Sequence, residues 1–197
     1  MSGDHHGSSA ISEQVRHVEA LLEARGLVDE GELDRRIDEF LAGGSPANGA
    51  RIAARAWVDP AFRDRLLADA NAAIRELGLS MSGGLQEQRL KVVANTADEH
   101  NVVVCTLCSC YPIALLGPSP SWYKSEAYRS RVVRDPRGVL EEFGLELPPT
   151  TRISVWDASA ESRYMVVPRR PEGTDGLSEE ELAGLVTRKG LIGTAAV

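Results

Sequence analysis

The sequence predicts an α+β protein, a helical N-terminal arm followed by a mixed α/β globular domain. Helical periodicity runs to about residue 77, short β-branched runs begin only after Gly83 and Gly84, and helices and strands then mix to the end. With 197 residues, 43% of them hydrophobic, the chain can bury one sizeable core and carry some appended structure. Aromatics make up only 5%, so aliphatic side chains and alanine must fill most of the interior.

Residues 1–9 are polar, carry Asp4, His5 and His6, and lack the apolar centre of a secretory signal, so they read as a disordered tail. An arm over residues 10–44 follows. Ile11 to Arg25 forms an amphipathic helix with Ile11, Val15, Val18 and Leu22 on one face, and Gly26 ends it. Asp29 and Glu32 have capping-box spacing for a second helix, whose stripe is Leu33, Ile37, Phe40 and Leu41. The arm either packs on the main core or reaches over a partner subunit.

The globular domain, residues 45–197, opens where Ser45 caps and Pro46 begins a third helix. Asp59-Pro60 starts another, expected to run to Leu77 and stop at Gly78. Leu90 to Val93 and Val102 to Val104 read as strands, with the cysteines at the end of the second. After the turn from Gly117 to Ser121, helices are expected over Ser125 to Arg134 and Asp135 to Phe143. Strands follow at Ile153 to Trp156 and Tyr164 to Val167, joined by a polar turn, and Ser178 with Glu181 opens a last short helix.

A net charge of −7, with no basic run longer than Arg169-Arg170, argues against nucleic acid and anionic membranes as partners. No apolar stretch approaches the roughly 20 residues that span a bilayer. The cytoplasm is the default compartment.

All three cysteines, Cys105, Cys108 and Cys110, fall within one short loop. An odd number packed together is not a disulfide framework. A Cys108–Cys110 bridge is strained, and a Cys105–Cys108 bridge leaves Cys110 unexplained. A metal site is the better reading. Its bland form is zinc with His100 as fourth ligand, in a structural or redox-sensing protein.

The order Val104-Cys105-Thr106-Leu107-Cys108-Ser109-Cys110 resembles the metal claw of nitrile hydratase α subunits. The likeness extends through Ala56 to Gly78, Trp122 to Ser125, Arg131 to Gly144 and Trp156 to Thr174. It implies a low-spin trivalent ion held by three cysteine sulfurs and the ionised main-chain nitrogens of Ser109 and Cys110, with Cys105 axial. It also implies oxidation of Cys108 to sulfinate and Cys110 to sulfenate. Threonine at position 106 marks the cobalt type, and serine there the iron type. The implied activity is hydration of an organic nitrile to its amide, with Cys110, Ser109 and Gln86 as catalytic or supporting residues. The implied partners are one or more β-type subunits, which carry the key arginines, and a metallochaperone or activator.

Arg131, Arg134 and Arg163 are this chain's own candidate donors to oxidised sulfur, but an ordinary solvated surface position is the better reading of each. Thiocyanate hydrolase, with a similar claw, is the nearest alternative. The chain departs from the family pattern at Ile113 and Ala114, where a Trp-Pro pair is usual, at Pro118 and Ser119 in place of Leu-Pro, and at Ala94 in place of a common glutamate. Loss of the tryptophan widens the expected pocket by tens of Å³, on the order of a side-chain difference. A bulkier heteroaromatic or nucleoside nitrile, as in toyocamycin-type enzymes, would fit it.

Overall fold

The computed structural model describes residues 5–82 and 87–197 and divides into two units, the first ending at Phe40 and the second running from Leu41 to Val197. The first unit holds helix α1 (His5–Ala24) and most of α2 (Glu30–Gly43). Helix α1 begins at His5, inside the segment expected to be a disordered tail. Asp29 caps α2 through Glu32 N–H at 2.8 Å. Within this unit Ile11, Val15 and Val18 of the predicted apolar stripe are 63%, 50% and 52% exposed, while Leu22 is half-buried.

The second unit begins with α3 (Pro46–Val58), whose N-terminus is closed by the Ser45 side chain on Ala47 N–H and by Pro46 in the first turn. Its buried face, Ile52, Ala53 and Ala56, joins the main core. Gly49 lies on that helix because a Cβ there would come within 2.6 Å of Leu116 and 2.7 Å of Leu191. The single helix expected from Pro60 to Leu77 is instead two, α4 (Pro60–Ala68) and α5 (Ala70–Arg75). Asp69 breaks it by leaving helical geometry and accepting from Ala72 N–H with its own carboxylate. Asp competes well for such caps, and helical periodicity alone does not register the competition.

Strands β1 (Arg89–Ala94) and β2 (Glu99–Val104) follow. Then come the cysteine loop and four short helices: α6 (Ile113–Leu116), α7 (Ser121–Lys124), α8 (Glu126–Val132) and α9 (Pro136–Glu142). Strands β3 (Arg152–Asp157) and β4 (Ser162–Val167) and helices α10 (Glu179–Leu185) and α11 (Arg188–Ile192) complete the unit. Ser125 and Asp135 cap α8 and α9, and both halves of the Ser178/Glu181 capping box are formed at α10. Helix α11 has no counterpart among the elements predicted from sequence. No helix among the described residues is long and apolar enough to cross a membrane.

Strands joined by short turns do not pair with each other. β1 pairs with β4 and β2 with β3, both in parallel. Parallel partners require long crossovers. The crossover from β2 to β3 contains the cysteine loop and α6 to α9. Register aligns Val104 with Asp157, so the two strands end together on the same side.

A buried polar network fastens the β1–β2 turn to the C-terminal segment. Asn95 Oδ1 accepts from Asn101 N–H at 2.8 Å. His100 Nε2 lies 2.7 Å from the Gly193 carbonyl, and its Nδ1 lies 3.1 Å from Asn95 Nδ2. The ring is therefore neutral, donating at Nε2 and accepting at Nδ1. Gly193 is required: its φ is +89°, and a Cβ there would meet the Asn101 carbonyl oxygen at 1.9 Å.

Burial holds the His100 pKa below its ordinary value. As pH falls through 6.5 the unfolded chain takes a proton that the folded chain resists, so this contribution to stability is complete above that value and declines below it. Urea-denaturation midpoints should fall between pH 7.5 and 5.5, and His100→Gln should flatten that slope. An unchanged slope in the variant would remove His100 as its source.

Candidate metal centre

The cysteine loop leaves the carboxyl end of β2, where ligand sites of parallel sheets commonly form. Main-chain anchors hold it at both ends. Tyr128 Oη donates to the Val103 carbonyl at 2.7 Å and Tyr123 Oη to the Cys110 carbonyl at 3.0 Å. Burial pushes both phenols far above their ordinary pKa, so they remain neutral donors. Trp122, Tyr128 and Phe143 pack edge to face around this support.

Asp157, at the end of β3, clamps the first turn of the loop. Its carboxylate accepts from Thr106 N–H at 2.9 Å and from the Thr106 hydroxyl at 2.6 Å. Ala158 N–H donates to the Val104 carbonyl at 2.7 Å and continues the pairing past the strand end. On the far side, Arg129 of α8 donates from Nη1 to the Cys108 carbonyl at 3.0 Å.

Within this frame the three sulfurs lie within 4.8 Å of one another. Cys108 Sγ is 3.4 Å from Cys105 Sγ and 3.2 Å from Cys110 Sγ, so all three thiols are free and convergent. Cys105 is fully buried, Cys110 half-buried and Cys108 exposed. Cys108 N–H points at Cys105 Sγ, 3.3 Å away. The Cys108 thiol is drawn down to about 7, first by the Cys110 and Cys105 thiols and then by the main-chain N–H groups of Cys110 and Ser109. The N–H groups of Ser109 and Cys110 thus interact with the Cys108 sulfur, as Cys108 N–H does with that of Cys105. Cys110 is pushed up to about 12, chiefly by burial and by the hydrogen bond with Cys108, against the lowering influence of the Arg163 charge.

The zinc alternative with His100 does not stand. Both His100 nitrogens are engaged in the core network, and the described clusters of potential ligands include only the three cysteines. At roughly 3.3 Å per strand residue, His100 also lies on the order of 15 Å back along β2 from Cys105. The further donors that the family resemblance implies are the main-chain nitrogens of Ser109 and Cys110. The Cys110 nitrogen and sulfur share a residue and can close a small chelate ring, and the Ser109 nitrogen lies between two cysteines. Soft thiolates with amide nitrogen fit a transition-metal ion of high charge and do not fit magnesium or calcium. The donor set fits the trivalent ion that the sequence resemblance implies.

Of the other expected site residues, Arg131 is spent on a two-pronged ion pair with Glu142 at 2.9 and 2.6 Å, and Arg134 donates to the Ser130 carbonyl. Arg163 is buried, bonds the carbonyls of Ser159 and Ala160, and acts on Cys110 through its charge. Gln86 lies outside the described residues. Asp157, Arg129, Tyr123 and Tyr128 were not among the predicted site residues. Asp157 falls within the Trp156 to Thr174 stretch of family likeness, but no local spacing connects it to the loop.

Three convergent thiols and inward-turned peptide N–H groups at the end of parallel strands define a metal–thiolate protein. The chain matches the family described as nitrile hydratase, alpha chain, over residues 9–195, and it belongs to that family. It is 51% identical over 185 residues to a low-molecular-weight cobalt-containing nitrile hydratase subunit alpha of Rhodococcus rhodochrous, covering 94% of this chain and 88% of the relative. It is 50% identical over 184 residues to a cobalt-containing nitrile hydratase subunit alpha of Pseudonocardia thermophila, covering 93% and 89%. Its fold superposes with a TM-score of 0.86 and 38% identity on a recombinant thiocyanate hydrolase comprising partially modified cobalt centres, over 99% of this chain and 90% of that one.

Exposure and acidity rank the thiols of the metal-free chain. Iodoacetamide at pH 7.5 should label Cys108 first, Cys110 more slowly and Cys105 last, as read by peptide mass mapping. Asp157→Ala should speed labelling of Cys105 by about tenfold or more, the scale of a lost charge-assisted hydrogen bond. Equal rates at all three cysteines would contradict the described loop.

Proposed function

We propose that this chain is the metal-bearing subunit of a cobalt-type nitrile hydratase, adding water to an organic nitrile to give the amide. The convergence of the Cys105, Cys108 and Cys110 sulfurs, with Ser109 and Cys110 N–H turned among them, carries the reading. In it Cys105, Cys108 and Cys110 would hold the ion through sulfur, together with the main-chain nitrogens of Ser109 and Cys110. Thr106 and the names of the two relatives support cobalt over iron. A bound trivalent ion supplies Lewis acidity toward the nitrile nitrogen or water.

The chain's own residues supply the rest. Cys110, carried as a sulfenate, places a basic oxygen beside the substrate position and acts as base or nucleophile. Arg163 favours its negative charge. The exposed Ser109 would orient the nitrile through its hydroxyl, and the family resemblance carries Gln86 over as a hydrogen-bonding residue. Cys108 and Leu107 face solvent, with Leu107 87% exposed, so this chain does not enclose the reacting groups. A β-type partner subunit provides the missing wall, and the exposed stripe of the arm over residues 10–44 suits a grip on that partner. A metallochaperone or activator supplies the ion.

In the complex assembled with its partner in cobalt-rich medium, elemental analysis should find about one cobalt per chain. Intact mass should show two oxygens on Cys108 and one on Cys110. Cys110→Ser should reduce turnover by roughly 100-fold or more. Zinc at full occupancy, or an undiminished Cys110→Ser enzyme, would overturn the reading. The thiocyanate hydrolase likeness supplies the second reading, so thiocyanate belongs in the same assay. Turnover of it in preference to nitriles would move the assignment there.

Substrate size provides a separate test. Ile113 stands half-buried at the start of α6, where the family usually has tryptophan. A heteroaromatic nitrile should show a higher kcat/KM than a small aliphatic one. Preference for the small nitrile would mean that the partner fills the space.

A further inference from the structure

The carbonyl that receives Arg129 belongs to the peptide joining Cys108 to Ser109. Its nitrogen is the Ser109 nitrogen, whose N–H points away from Arg129 because the peptide is trans, and which interacts with the Cys108 sulfur. The two ends of that peptide thus point opposite ways, nitrogen toward the metal position and oxygen toward a guanidinium 3.0 Å away. We infer that Arg129 is a positioning residue for the metal centre, holding the 108–109 peptide in place and countering the charge it acquires as a ligand. This rests on the proposed ligation by the Ser109 nitrogen and extends it.

When the nitrogen of a peptide takes up a highly charged ion, its N–H bond breaks, the proton passes to water and the N–metal bond forms. The negative charge left behind spreads from nitrogen to the carbonyl oxygen. A neutral donor at that oxygen helps little, whereas a guanidinium makes a charge-assisted bond that strengthens as the charge develops. Arg129 Nε is buried and makes no hydrogen bond, so the side chain is not consumed by a competing structural role there.

The surrounding structure fixes this geometry. The Ser125 side chain caps α8 through Tyr128 N–H, and Tyr128 of the same helix bonds the Val103 carbonyl, which ties the Arg129 backbone to the strand that launches the loop. Other carbonyls near the centre receive different partners. That of Cys110 takes the neutral Tyr123 hydroxyl, and that of Val104 takes a main-chain N–H. The cationic donor falls on one of the two peptides that would carry charge, the one joining Cys108 to Ser109.

The test uses the full chain coexpressed with its partner across a graded series of cobalt salt concentrations. Cobalt per chain and the visible sulfur-to-metal absorption band are read at each. Arg129→Gln should need 10–100-fold more cobalt for half-loading, the usual scale for groups supporting metal ligands, and its band should shift. Arg129→Lys, which keeps the charge, should recover most of both. Thermal unfolding of the metal-free chains reports any general loss of fold. Arg129→Gln that loads at the wild-type midpoint with the wild-type band would overturn the inference, as would failure of Lys to rescue in a chain that melts normally. A wild-type chain that takes up no cobalt would instead defeat the functional reading beneath it.

Discussion

Parallel pairing of β2 with β3 is the constraint on which the site depends. The two strands end together, so the residue after each one lies beside the other's exit. An antiparallel partner would have put Asp157 at the opposite end of β2, leaving Thr106 unclamped. Parallel order requires a long crossover, and that crossover supplies Tyr123, Tyr128 and Arg129. The connection that the topology demands is thus also the scaffold of the loop.

The loop inverts ordinary main-chain polarity. Its N–H groups from Cys108 to Cys110 turn inward to sulfur, while carbonyls at Val103, Cys108 and Cys110 are met from outside by side-chain donors. Hydrogen bonding by the Cys110 and Cys105 thiols, helped by the inward N–H groups, lets Cys108 ionise readily, while burial makes its half-buried neighbour resist. Such a concavity is prepared for anionic ligands gathered around a cation. Aromatic packing beneath it limits how far the donors can relax.

The sequence was most informative where a local interaction decides the structure. Ser45 with Pro46, Asp135 with Pro136 and Ser178 with Glu181 announced helix starts correctly, because each cap acts over a few residues. The three cysteines exposed the site for the same reason. The break at Asp69 was missed because a capping aspartate and a helical one look alike until the backbone geometry is known. Strand partners were unreadable, since short turns after β1 and β3 suggest neighbours that do not pair. Asp157 and Arg129 act on the loop from 51 and 21 residues away, a separation at which spacing carries no signal. His100 looked like a ligand by its proximity in sequence, but burial among Asn95 and Gly193 had already claimed both of its nitrogens.

The distance in sequence between Thr106 and Asp157 also has a meaning in time. A ribosome adding roughly 5–20 residues per second delivers the carboxylate about 3–10 s after the threonine it will hold. During that interval the neighbouring thiols have neither their companion strand nor their anchor, while the nascent chain is already long enough to bend them together. Mispairing of sulfur is therefore a hazard of biosynthesis more than of the finished fold, and a reducing environment during translation protects the centre before any metal can.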